Sequence, residues 1–175
     1  IGTNPLALKL AVTSYLLSLA IFIPASGWTA DRFGARTVFR AAIGVFVIGS
    51  IGCALSSSPT DFVIARIVQG MGGAMMTPVG RMVVVRTISK RELVGAMAWV
   101  TTPALIGPVL GPPVGGFITT YATWHWIFLI NVPIGLLGIV LATRYIPDVR
   151  AEEHERFDVV GMILAGLGIG GMAFG

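Results

Sequence analysis

The stretch Gly107-Pro108-Val109-Leu110-Gly111-Pro112-Pro113-Val114-Gly115-Gly116 decides the fold, because it has two opposite readings. In water, a run this rich in Gly and Pro is a loop. In a bilayer, the same residues are tolerated inside a helix where neighbouring helices restore the lost contacts. Gly107, Gly111 and Gly115 recur every fourth residue, so on a helix they line one nearly bare face. Such a face lets another backbone approach closely, as small residues do in lipid. Pro108, Pro112 and Pro113 each remove an amide donor and favour local bending.

Composition selects the bilayer. Only 11% of the 175 residues are charged and 55% are hydrophobic, with a mean hydropathy of +0.86. Soluble domains carry about 25% charged residues. The net charge of +4 is small and its basic residues fall in short connections, so the pattern is membrane topology rather than nucleic-acid binding. The single cysteine, Cys53, excludes an internal disulfide, and two histidines, His125 and His154, make no chelating cluster. No signal peptide is legible at the start, and both ends read as cut, so we expect a piece of a longer polytopic protein.

A span needs about 20 apolar residues. Spans are expected over residues 10–28, 41–57, 62–85, 93–121 and 124–146, with a sixth starting near 159. Residues 30–40, 58–61, 86–92, 122–123 and 148–158 connect them. Arg32, Arg36 and Arg40 lie in the first connection, and Arg86, Lys90 and Arg91 in the third. Arg144, Arg150 and Arg156 lie in or beside the fifth, whereas the second and fourth have no Lys or Arg. Alternate connections are therefore basic, which predicts a cytoplasmic position for residues 30–40, 86–92 and 148–158. Lys9 alone falls on the other side.

Three motifs carry chemistry. Gly27, Asp31, Arg32, Gly34 and Arg36 close the first span, with one acid among arginines at a helix end. An ordinary basic loop is the bland alternative. Arg66, Gln69 and Gly70 lie inside the third span. An arginine at a helix centre costs roughly 2.5–3.5 kcal/mol on insertion scales and usually faces a cavity or partner. Snorkelling to the outer headgroups is the alternative. Gln69 shares the face of Arg66, and Gly70 with Ala74 makes a small-residue pair. The third motif is residues 107–116, including Gly116. His125 between two tryptophans reads as interfacial, while Cys53, Met75 and Met76 read as packing or lipid-facing. Asn131 needs a polar partner inside the membrane. Asp61 is the only acid between Asp31 and Glu92 and sits at a turn, so no carboxylate lies deep in any expected span.

Taken together, these residues resemble the major facilitator superfamily. The Asp31 region is similar to its loop signature Gly-x-x-x-Asp-Arg-x-Gly-x-Arg/Lys, and the run from Arg66 to its Arg-x-x-Gln-Gly pattern. Residues 107–116 are similar to the antiporter signature Gly-Pro-x-x-Gly-Pro-x-x-Gly-Gly. The run Trp124-His-Trp-Ile-Phe-Leu-Ile-Asn-Val-Pro-Ile-Gly135 looks like the sixth-span entrance of fourteen-span drug:proton antiporters of the EmrB/QacA type. Thr29, Ala35 and His125 depart from the usual residues.

The resemblance implies an all-α, multi-pass helical bundle in the bacterial inner membrane. Residues 1–147 would be spans two to six of an N-terminal half, 148–158 a cytoplasmic linker, and 159–175 the start of the next span. It implies proton-coupled export of amphipathic or cationic small molecules by alternating access. Asp31, Arg32 and Arg36 would latch the cytoplasmic side, with Gly27 and Gly34 in the same gating loop. Arg66, Gln69 and Gly70 would serve proton coupling. Gly107, Pro108, Gly111, Pro112, Gly115 and Gly116 would pack against the C-terminal half of the protein, and Met75 and Asn131 would border the substrate path. The implied partners are the bilayer, a small-molecule substrate and that C-terminal half, with no nucleic acid, no metal and no cofactor beyond the proton gradient. A membrane-embedded enzyme is disfavoured for want of a nucleophile or metal pair. A non-transporting sensor or assembly protein on the same helices, or an exporter of one metabolite, stays open as the alternative.

Overall fold

The computed structural model describes residues 5–147 and, beyond them, Gly161, Leu164 and Gly168. The expected linker over 148–158 and most of the span from 159 lie outside the described residues. Among residues 5–147, six helices follow one another: α1 (Pro5–Phe33), α2 (Ala35–Leu55), α3 (Pro59–Thr87), α4 (Leu93–Tyr121), α5 (Trp126–Leu129) and α6 (Asn131–Tyr145). There is no strand among the described residues. Among the described residues, five segments are long and apolar enough to cross a membrane: Lys9–Phe33, Ala35–Leu55, Pro59–Thr87, Leu93–Tyr121 and Trp126–Tyr145.

The helix ends have local causes. Between α2 and α3, Ser58 Oγ accepts from the Asp61 amide at 3.1 Å while the Asp61 carboxylate accepts from the Ser58 amide at 3.2 Å. This reciprocal capping box, followed by Pro59 in the first turn, starts α3. The fifth span is divided at Ile130, whose backbone remains helical. Pro133 has no amide to give the Leu129 carbonyl, which accounts for the break.

The first connection is not the loop that residues 30–40 suggest. Helix α1 runs on to Phe33 and α2 begins at Ala35, so Gly34 alone interrupts the two. Gly34 has φ 89°, a conformation open to glycine and strained for most other residues. A positive-φ hinge of one residue reverses the chain, so the arginines around it project from helices.

Helix α3 packs along both α1 and α2, and α2 also carries α5 and α6. The interior is built from small side chains. The largest fully buried ones are Val79, Cys53, Ser26 and Ser50. Large apolar residues such as Leu55, Trp99 and Val94 point outward. That inversion of the soluble pattern follows from lipid being as apolar as leucine, so that close backbone approach holds the helices together. An added Cβ on Gly49 would lie 2.4 Å from the Gln69 nitrogen, and one on Gly72 would lie 2.4 Å from the Phe46 nitrogen. These two reciprocal notches lock the antiparallel crossing of α2 and α3. Gly135 does the same for α6 against Val47.

Two apolar clusters flank this crossing. One joins Ala11, Cys53, Ala54, Phe62, Ala65 and Phe128 near the Ser58 turn. The other joins Ala30, Ala35, Val38, Val79 and Val83 at the basic end. Helix α4 has no buried residue and, among the described residues, touches only α3 and α5.

Candidate functional site

Between the clusters lies a polar cluster centred on Arg66. Its guanidinium reaches deeper along α3, where Nη1 donates to Gln69 Oε1 at 2.8 Å. Gln69 is buried, so Arg66 turns into the bundle rather than back toward the start of α3. The i,i+3 spacing of the two side chains makes this contact possible. The Gln69 amide then donates from Nε2 to Ser50 Oγ at 2.8 Å. Asn131 Nδ2 reaches the same oxygen at 3.4 Å, so the in-membrane amide finds its partner on α2. Cys53 Sγ approaches Gln69 Oε1 at 4.0 Å.

Aromatic faces surround the cation. The Arg66 guanidinium carbon lies 4.9 Å from the Tyr15 ring centroid, 5.4 Å from Phe128 and 5.9 Å from Phe62. Each such contact is worth about 0.5–2 kcal/mol depending on desolvation, which offsets part of the cost of a cation in a span. Arg66 Nε is buried without a hydrogen-bond partner among the described residues. An open pocket of ≈ 360 Å³ beside it is lined by Ala11, Val12, Phe62, Arg66, Trp124, Ile127 and Phe128. A cation with unspent donors at an apolar pocket can attract an anionic group and respond to its protonation.

Gly70 seats α1 on this centre. A Cβ there would meet Ser18 Cβ at 2.7 Å, and Ser18 Oγ donates to the Ile67 carbonyl at 2.8 Å. The close approach brings Tyr15 over Arg66.

The basic end holds a second arrangement. Arg86 Nη1 meets Asp31 Oδ1 at 2.7 Å, joining the last turns of α1 and α3. Arg36 Nε donates to the Ile146 carbonyl at 2.5 Å, so the start of α2 holds the end of α6. Arg32 stays on its own helix, over Trp28 at 5.3 Å and Phe33 at 5.8 Å. A Cβ on Gly27 would meet nothing within 4 Å. Asp31 and Arg36 are thus braces between helices of this chain.

The remaining sequence candidates are dispersed. Gly107, Gly111, Gly115 and Gly116 also face open space, and Pro108 and Pro112 stay within the continuous helix α4. Met75 packs against the basic-end cluster and lines a wholly apolar groove with Thr29, Phe33, Thr37 and Val45. Asn131 belongs to the Arg66 cluster, so Met75 and Asn131 do not share one surface. His125 stacks on Trp124 at 3.9 Å. Sequence reasoning passed over Ser50, Tyr15 and Gly49, because none carries a pattern that marks it in an apolar helix.

Long apolar helices joined by single-residue and short turns, with a hydrogen-bonded cation inside one span, fit a polytopic membrane protein. The sequence model of the Major Facilitator Superfamily matches residues 1–158, and the chain belongs to that family. It is 46% identical over 169 residues to "Putative multidrug resistance protein MdtD" of Serratia proteamaculans (strain 568), covering 97% of this chain and 35% of the relative. The protein of the same name from Salmonella enteritidis PT4 (strain P125109) is also 46% identical, with 97% and 36% covered. The chain thus spans about a third of the length of these curated relatives. Its fold also matches a solved structure of the major facilitator proton:xylose symporter XylE bound to 6-bromo-6-deoxy-D-glucose, at TM-score 0.73 and 21% identity. That match covers 81% of this chain and 35% of the symporter, and shows the fold alone.

Proposed function

We propose that the chain is part of the N-terminal half of a proton-coupled exporter of small molecules, of the fourteen-span drug:proton antiporter type. Arg66 is the observation that carries this reading. It is held among rings and one buried amide, beside an apolar pocket, and its buried Nε has no hydrogen-bond partner among the described residues. A packing role alone does not require a cation in a span, given what its insertion costs. A cation that alternately holds and releases a titrating partner gives proton binding a mechanical consequence. The 46% identity to relatives named for multidrug resistance supports amphipathic or cationic cargo.

The transporter works by alternating access in the bacterial inner membrane, without catalysis and without a cofactor beyond the proton gradient. Residues 30–40, 86–92 and 148–158 face the cytoplasm, as their basic character favours. There Asp31, Arg32 and Arg36 latch that side, with Gly34 as the hinge and Gly27 beside it. Gln69 and Gly70 hold Arg66 in place. Met75 and Asn131 border the substrate path from two directions. The open faces of Gly107, Gly111, Gly115 and Gly116 on α4, with Pro108 and Pro112, receive the C-terminal half and limit leak.

Dye accumulation in cells expressing the complete transporter tests this reading. Cells with the native protein should accumulate less of a cationic dye, and a protonophore should abolish the difference. Arg66→Ala should behave as the protonophore does at equal membrane abundance. Protonophore-insensitive exclusion, or full exclusion by Arg66→Ala, would overturn the proposal and favour a sensor or assembly role.

A further inference from the structure

Two helices each place a side chain on one buried hydroxyl of a third. Ser50 is fully buried on α2, and its Oγ donates to the Phe46 carbonyl of its own helix at 2.9 Å. With its only proton committed there, that oxygen can meet Gln69 and Asn131 solely as an acceptor. Gln69 therefore presents its NH2 group to Ser50 at 2.8 Å, and Asn131 does so at 3.4 Å. The opposite end of the Gln69 amide, Oε1, is left for Arg66 Nη1 at 2.8 Å. Flipping the amide would set NH2 against guanidinium, donor on donor, and carbonyl against an oxygen that has no proton to give. One orientation survives.

Gly49 makes the arrangement possible. A Cβ at that position would lie 2.4 Å from the Gln69 nitrogen and 2.6 Å from its Cα. Only a glycine lets the backbone at Gln69 come close enough to α2 for its side chain to reach the adjacent Ser50.

We infer that Ser50 is a positioning residue for Arg66. By fixing the Gln69 amide, it holds a carbonyl oxygen on the guanidinium and so sets how much of the cation is available to a titrating partner. Asn131 ties α6 to the same oxygen, so a movement of α6 relative to α2 reaches Arg66 through two hydrogen bonds. This assignment rests on the reading of Arg66 as the coupling residue.

The test uses the complete transporter in proteoliposomes, with substrate export measured against pH at fixed gradient. Ser50→Ala leaves a buried amide without its acceptor and should lower the coupled rate about tenfold, the scale of one buried unsatisfied group. It should also shift the midpoint of the pH profile, which a purely structural loss of active protein does not do. Ser50→Thr keeps the hydroxyl and should retain the native midpoint even where less protein is recovered. In a Gln69→Ala background, Ser50→Ala should change the rate by less than about twofold, since coupled residues are not additive.

An unshifted midpoint in Ser50→Ala, or an undiminished effect in the Gln69→Ala background, would overturn the assignment. If Ser50→Ala does not reach the membrane, Ser50→Cys, close in volume and a poor acceptor, is held to the same two criteria. Arg66→Ala separates the two claims. Full coupled transport by that variant would overturn the coupling reading itself. Its loss, together with an unshifted Ser50→Ala, would overturn the Ser50 assignment alone.

Discussion

Arg66 and its neighbours show how one costly residue is accommodated inside a span. Among the described residues, the guanidinium has a single side-chain hydrogen bond, to Gln69, and three ring faces around it. Removing the rings one at a time should therefore weaken its placement in steps. Tyr15→Leu should cost about 0.5–2 kcal/mol, the range of one cation–π contact, read as a lower melting temperature of the purified complete transporter. The glycines that permit the cluster should be less forgiving. Gly72→Leu pushes a branched side chain against the Phe46 backbone and the Ala42 carbonyl. Overpacking of this kind typically costs 1–3 kcal/mol or more, so we expect poor recovery and a clearly lower melting temperature. At Gly80 the nearest atom to an added Cβ is a Phe39 ring carbon at 3.5 Å, an ordinary contact. Gly80→Ala should melt close to the native protein.

Among the elements, α3 and α4 have equal length and opposite environments. Helix α3 is anchored by its capping box and buried along two neighbours. Ser58→Ala should destabilise it by about 1 kcal/mol, visible in thermal melting. Helix α4 has open space beside every signature glycine, so none of those glycines seats a neighbouring helix among the described residues. If α4 receives the C-terminal half, Gly111→Leu in the complete transporter should raise passive proton leak through proteoliposomes. Gly95→Leu, at an equally open glycine near the start of α4, should not. Equal leak from both would contradict the specific role of the 107–116 face.

The bounds of α4 were legible in the sequence, residue for residue, because Glu92 and the turn at Ala122 and Thr123 punctuate a run without charge. The capping box was legible in part, from Pro59 and Asp61. Gly34 was legible as a residue that permits a tight turn, but not as the whole connection, since a single positive-φ glycine leaves the hydropathy of 30–40 looking like a loop. Arg36 and Ile146 are 110 residues apart, and no local pattern records such a contact. Ser50 was equally silent, because a serine in an apolar helix commonly bonds its own i−4 carbonyl and its second role depends on tertiary packing.

At the scale of the molecule, polar groups concentrate in two places, the Arg66 cluster and the braced basic end, with tight glycine-mediated crossings between them. Asp31 and Arg86 are each about one-third exposed, so their ion pair should add less than about 1 kcal/mol to stability. Asp31→Asn should then melt near the native protein while lowering transport, a separation that a merely structural brace would not produce. The account as a whole stands on the cation inside the bundle. The most direct measurement is substrate-dependent proton flux in proteoliposomes containing the complete transporter with Arg66, Arg66→Lys or Arg66→Ala. Arg66→Lys keeps the charge but not the planar fork, and should retain reduced coupled flux. Arg66→Ala should abolish flux while the protein remains folded. Proton flux and substrate movement at native levels in folded Arg66→Ala would contradict the account.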